Sequence, residues 1–158
     1  MQRIPVTPRG YELLRKELRN LKEVVRPKIV LDIEEAISHG DLSENSEYDD
    51  AKHRQSLCEG RIIEVESKLG AAEIIDVKKI TPSERVIFGV TVEVEDLDTE
   101  EVSTYKIVGS DEADVKAGMI SITSPLARAL IGKEEGDEVK FNTPRGLRTL
   151  CINDVQHK

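Results

Sequence analysis

Aromatic side chains are scarce in this chain: it has no Trp, two Phe and three Tyr among 158 residues. Any core must therefore be mainly aliphatic, drawn from an apolar fraction of 38% that is rich in Ile, Val and Leu. Cysteine is equally sparse. Cys58 and Cys151 lie far apart with no companion motif, which suggests neither a disulfide framework nor a zinc site and fits a reducing compartment. No segment approaches the roughly 20 apolar residues of a membrane span, and the start, Met1-Gln2-Arg3-Ile4-Pro5, lacks the apolar stretch of a secretory signal. A soluble cytoplasmic protein is expected. Positive charge is not in excess either: 31 Asp plus Glu against 23 Lys plus Arg gives a net charge of -8, which argues against generic coating of nucleic acid. It leaves open an approach to RNA through a partner. Internal repeats and low-complexity linkers are also missing.

What is present falls into two halves with different periods. Tyr11, Leu14, Leu18, Leu21, Val25, Ile29, Ile33 and Ala36 are spaced by threes and fours, the mark of a helical seam. A second run, Tyr48, Ala51, Gln55, Cys58, Ile62, Val65, Leu69 and Ala72, alternates three and four as coiled-coil core positions do, with Gln55 its one clearly polar member. Between them Gly40 can end one helix and Asp41 can begin the next. Each narrow stripe can be buried only by its neighbour, so the two helices form an antiparallel hairpin. At about 1.5 Å per residue its reach is on the order of 45 Å. Pro27 removes one backbone donor from the first arm, and a local kink is expected near Arg26.

Beyond about residue 75 the pattern changes to short β-rich runs: Val86 to Val94, Val102 to Val108, Met119 to Thr123, Glu138 to Asn142 and Leu147 to Val155. Pro125 to Ile131 suits a short helix opened by its proline. The expected class is α+β, with residues 1–75 forming the hairpin and 76–158 a compact domain.

Charge is segregated along the hairpin. Arg3 to Lys28 hold eight Lys or Arg against Glu12, Glu17 and Glu23, whereas residues 29–50 hold eight acidic residues and no Lys or Arg. Asp41, Glu44, Glu47, Asp49 and Asp50 crowd the predicted tip, where mutual repulsion adds nothing to folding, so the cluster is either simply solvated or bound by something positive. Asp41 and Glu44 have the spacing of a helix cap. The same spacing brings two carboxylates together at one exposed end, where they can share a Mg²⁺, and the two roles are compatible. His39 is set aside, because Mg²⁺ prefers oxygen ligands. Tyr48 fits the seam, and the two cysteines read as small core residues. Lys52 and Arg54, with Arg61 further on, place positive charge beside the acidic tip, suited to salt bridging or to phosphate contact.

The segment His39-Gly40-Asp41-Leu42-Ser43-Glu44-Asn45-Ser46-Glu47-Tyr48 resembles the tip motif of the Gre-type bacterial transcript cleavage factors. Ile4-Pro5-Val6-Thr7, Cys58-Glu59-Gly60-Arg61-Ile62 and Ser124-Pro125-Leu126-Ala127-Arg128-Ala129-Leu130-Ile131-Gly132-Lys133 extend the resemblance over nearly the whole chain. It implies a coiled-coil hairpin followed by an FKBP-like α+β domain. It also implies a partner, bacterial RNA polymerase: the globular domain docks on a coiled coil at the rim of the secondary channel, and the hairpin passes through the channel. By position, Asp41 and Glu44 correspond to the acidic pair that helps hold the second catalytic Mg²⁺ and orients water for cleavage at the 3′ end of the nascent RNA. The resemblance further implies that the polymerase supplies the other ligands and that the chain alone is expected to be no enzyme.

Ser124 and Pro125 align with the loop used against the polymerase rim, and they also suit a helix opening. Lys52 and Arg54 map onto the basic patch that meets RNA, which suggests the subclass with a small patch and short cleavage products. Ser43 stands where the family often has a basic residue, and Asp49 and Asp50 add acidity, so an inhibitory relative of the same channel is an alternative. A peptidyl-prolyl isomerase or chaperone is another, opposed by the aromatic shortage, since only Phe88, Tyr105 and Phe141 lie in that half. A monomer is expected, because the hairpin satisfies its own seam.

Overall fold

The structure, a computed structural model, describes residues 2–40 and 45–158. The chain divides into two units: Tyr11–Ala72, together with Gln2, and a second unit in which Arg3–Gly10 joins Glu73–Lys158. Among the described residues no helix is long and apolar enough to cross a membrane.

In the first unit α1 (Pro8–Asn20) runs through a π-helical segment (Leu21–Val25) into α2 (Arg26–Ser38), and α3 (Ser46–Ala71) returns antiparallel to it. Helix α1 begins inside the second unit, with Pro8 at its first position and the Gly10 amide donating to Thr7 Oγ1 at 3.0 Å. The seam expected from the sequence is the one that is buried: Leu14, Ile29, Ala36, Ala51, Cys58, Ile62 and Val65 are buried, and Leu18, Leu21, Val25 and Ile33 pack against the cluster of Ile29, Cys58 and Ile62. Burial of each Leu or Ile of this kind is worth about 1.5–3 kcal/mol. Ala36 and Ala51 are small enough to let the arms approach closely at the distal end.

Ion pairs flank the seam. Lys22–Glu66 (3.2 Å), Arg26–Glu59 (2.8 Å), Arg54–Asp32 (2.9 Å) and Arg61–Glu17 (2.5 Å) all join the first arm to the second. Being largely solvated, these pairs add little to stability, and each is compatible with arms that run antiparallel. The expected kink at Pro27 takes the form of the π segment. The Arg26 amide reaches back to the carbonyl of Leu21 rather than to that of Lys22, so the helix enters the proline through one widened turn without breaking.

The second unit carries a small two-stranded pairing, β1 (Ile4–Val6) with β2 (Ala72–Ile74), which the sequence reading missed. Its main sheet has five strands in the order β5-β4-β3-β7-β6, formed by β3 (Thr91–Asp96), β4 (Val102–Val108), β5 (Met119–Ser121), β6 (Glu138–Thr143) and β7 (Gly146–Gln156). Only β4–β5 is parallel among these neighbours. Val92 and Val94 of β3 point inward while Thr91, Glu93 and Glu95 do not, the alternation a one-sided sheet requires. A bulge between Glu93 and Val94 leaves Asn153 of β7 as the extra residue. Helix α4 (Pro125–Leu130) closes the core through Ala127 and Leu130, both fully buried.

The run Val86 to Val94 reads as one strand in sequence, but β3 starts only at Thr91. Val86, Phe88 and Val90 are buried as expected, yet Gly89 adopts φ +92° and turns the chain, so burial there comes without a continuous ladder. The α+β class and the hairpin are both borne out.

Candidate functional site

The distal end of the hairpin is organised by Asn45. Its Oδ1 accepts from the Tyr48 amide at 3.1 Å, capping α3, while its Nδ2 donates to the Ala36 carbonyl of α2 at 2.6 Å. One side chain thus starts the second helix and ties it to the last turn of the first. The cap expected from Asp41 belongs to Asn45, and Glu47 and Asp49 supply the negative charge favoured in a first helical turn. Asp41 and Glu44, read as metal-binding and water-orienting residues, lie outside the described residues, as do Leu42 and Ser43.

Beside this end, Asp32, Glu35, His39, Glu47, Asp50 and Arg54 line a polar recess. Asp32 and Glu35 on α2 and His39 at its C-cap are separated by three and four residues, as are Glu47, Asp50 and Arg54 on α3, so one face of each arm meets the other. That paired spacing is present in the sequence, although the apolar seam alone does not point to Asp32 and Glu35. Glu47 Oε2 lies 2.9 Å from His39 Nδ1. Arg54 donates to Asp32 Oδ2 at 2.9 Å and to Asp50 Oδ2 at 3.0 Å. Those hydrogen bonds, first to Asp32 and then to Asp50, raise the guanidinium pKa. Asp32 also accepts from Lys28 Nζ at 2.6 Å, and hydrogen bonds from Lys28 and then Arg54 hold its carboxyl below the ordinary carboxylate value.

Lys52 and Arg54, the pair assigned to RNA, are therefore placed differently. Arg54 faces the recess and is held by two carboxylates, whereas Lys52 is exposed and donates to Gln55 Oε1 at 2.9 Å. Gln55 is half-buried on the seam and meets a solvated partner. Cys58 is buried in the seam, and desolvation raises its thiol pKa; Cys151 is half-buried on β7, and both are free thiols.

In the second unit Ser124 is the N-cap of α4: its Oγ accepts from the Ala127 amide at 3.2 Å and donates to the Ser121 carbonyl at 2.7 Å. Pro125 follows, exposed, at the first helical position. A recess on the same unit is lined by Tyr105, Leu126 and Phe141 with Asp96, Arg145 and Arg148 among its polar members. Two of the three aromatics in this half thus share one surface, while Phe88 is in the core.

Among the described residues no group of three or more His, Cys, Asp or Glu is arranged to hold a metal ion. The first and second halves of the sequence match two parts of one family: residues 4–74 match "transcription elongation factor, N-terminal", and residues 81–157 match "transcription elongation factor, GreA/GreB, C-term". The chain belongs to the GreA/GreB family of transcription elongation factors. Relatives named transcription elongation factor GreA include one from Hyphomonas neptunium, 56% identical over all of both chains, and one from Acinetobacter baumannii, 58% identical over 99% of each. Among solved structures, the GreA factor homolog 1 (Gfh1) protein of Thermus thermophilus aligns over 98% of this chain and 99% of its own at 27% identity, with a TM-score of 0.44. The resemblance drawn from the tip motif is borne out, and with it the assignment to transcription elongation.

Proposed function

We propose that this GreA/GreB member acts on bacterial RNA polymerase, entering the secondary channel by its hairpin and stimulating Mg²⁺-dependent cleavage of backtracked RNA without being an enzyme itself. The observation that carries the reading is the family match across both halves of the chain, which spans the acidic hairpin end and the Ser124-Pro125 helix opening alike. In this reading the second unit docks through Ser124 and Pro125, and the hairpin carries Asp41 and Glu44 to the reacting phosphate.

Carboxylate oxygens are the donors Mg²⁺ prefers, and two of them leave most of an octahedral shell for water and for ligands from the polymerase. Mg²⁺, when held jointly in this way, supplies Lewis acidity that makes bound water a competent nucleophile. The chain's own part is to place two carboxylates on a supported end: Asn45 fixes the start of α3, Arg54 joins the arms through Asp32, and its second bond, to Asp50, stays within α3. Because Arg54 is engaged by Asp32 and Asp50, Lys52 is the better placed of the two basic residues to meet a phosphate.

The test compares wild type with Asp41→Asn and Glu44→Gln in cleavage of a backtracked RNA by purified polymerase across Mg²⁺ concentrations, alongside affinity for the polymerase. Each variant is expected to lose most stimulation while binding as before. Variants that both bind and cleave like wild type would refute the assignment, and wild type that binds yet suppresses cleavage would mark an inhibitory relative.

A further inference from the structure

Ser121, at the end of β5, gathers the loop that leads into α4. Its carbonyl accepts from the Ser124 amide at 2.9 Å and from the Ser124 hydroxyl at 2.7 Å. Its own hydroxyl accepts from the Thr123 amide at 3.1 Å and lies 2.7 Å from Thr123 Oγ1 and 3.1 Å from Ser110 Oγ. A serine hydroxyl has one proton and two lone pairs. Accepting from the amide, donating to one neighbouring hydroxyl and accepting from the other uses all three.

Ser124 is spoken for as well. It gives its proton to the Ser121 carbonyl and accepts from the Ala127 amide, so its hydroxyl serves the shape of the loop, and Thr123 and Pro125 are the exposed side chains on either side of it. We propose that Ser121 is a positioning residue for the polymerase-docking loop: its side chain holds Thr123 and the turn in the shape that presents Pro125, and so sets affinity without touching the cleavage step. The proposal rests on the reading that Ser124 and Pro125 dock on the polymerase.

Ser121→Ala removes the hydroxyl but keeps both bonds to the main-chain oxygen. Its former partners are near solvent, so water replaces it and the fold persists while the loop samples more shapes. If the docking-competent shape falls to about a third or a tenth of the population, apparent affinity falls about 3- to 10-fold. Ser121→Thr keeps an oxygen in place and suits a strand end.

The experiment titrates each full-length variant into a backtracked complex of purified RNA polymerase and reads the half-saturating concentration separately from the maximal cleavage rate, with thermal unfolding of the free protein in parallel. Ser121→Ala is expected to raise the half-saturating concentration about 3- to 10-fold with an unchanged maximal rate and melting midpoint, and Ser121→Thr to restore it. Pro125→Ala reports on the docking reading itself. If Pro125→Ala weakens binding and Ser121→Ala does not, or if Ser121→Ala acts by lowering the melting midpoint, the positioning role is overturned. If both variants titrate like wild type, the docking reading fails and this inference goes with it.

Discussion

Glu112 should be among the costliest single residues to remove from the second unit. Its side chain is 3% exposed, an unusual place for a carboxylate. It accepts from the hydroxyl of Thr7, itself buried, and from Arg9 Nη1 at 3.0 Å. Thr7 in turn accepts from the Gly10 amide, so the carboxylate sits behind the cap of α1. A hydrogen bond to a charged group of this kind is worth about 1.5–3 kcal/mol, whereas the Arg9 pair, with Arg9 60% exposed, adds at most about 1. Glu112→Ala is therefore expected to cost about 2–4 kcal/mol, lowering the midpoint of this unit by at least about 8 °C. Thr7→Val keeps shape but leaves the carboxylate with Arg9 alone and loses the cap, for about the same cost. The assay is urea and thermal unfolding of both single variants and the double variant. Because both act through one contact, the double variant should be at least about 1 kcal/mol less destabilised than the separate effects together. A cost below about 0.5 kcal/mol for Glu112→Ala, or strict additivity, would refute the reasoning.

Two glycines separate packing from backbone strain. Gly89 and Gly136 have φ of +92° and +90°, but an added Cβ meets Val77 Cγ1 at 2.7 Å only at Gly89 and nothing within 4 Å at Gly136. Gly89→Ala should thus cost about 1–3 kcal/mol more than Gly136→Ala in unfolding experiments, and equal costs would count against the contact. The depressed carboxyl of Asp32 contributes stability that is complete above the ordinary carboxyl value of 3.8 and is lost as pH falls through its lower folded value. Asp32→Asn should flatten that acid limb of the urea midpoint, and an unchanged limb would remove Asp32 as its source. Gln55→Leu should leave the hairpin as stable or slightly more so, because the Lys52 contact is solvated; a loss of more than about 2 kcal/mol would reveal a stronger bond.

Local and periodic features were legible in the sequence. The seam emerged because coiled-coil burial repeats every few residues, and β4 was placed at Val102–Val108 because its β-branched residues are bounded by turns. The helix at Pro125 followed from the fixed φ of proline. Features made by distant partners were not legible: nothing near Thr7 announces Glu112, and nothing near Ile4–Val6 announces its pairing with Ala72–Ile74. Asn45 was overlooked as the cap because Asp41 offered the same chemistry a few residues earlier. The recess residues Asp32, Glu35 and His39 were legible in principle, since their spacing matches that of Glu47, Asp50 and Arg54.

The widened turn at Leu21–Val25 makes the two arms unequal in their tolerance of length change. From Leu21 the seam advances by three successive steps of four, through Val25 and Ile29 to Ile33, where strict alternation would have inserted a step of three. The π segment is the backbone's way of absorbing that surplus. Deleting one residue there would tighten the turn towards ordinary α-helix and leave the distal part of α2 facing its partner much as before. The same deletion in the uninterrupted α3 would swing every later seam residue about 100° around its axis. Chain-length variation in this hairpin should therefore collect at one place on one arm, and the spacing of its apolar residues already marks where.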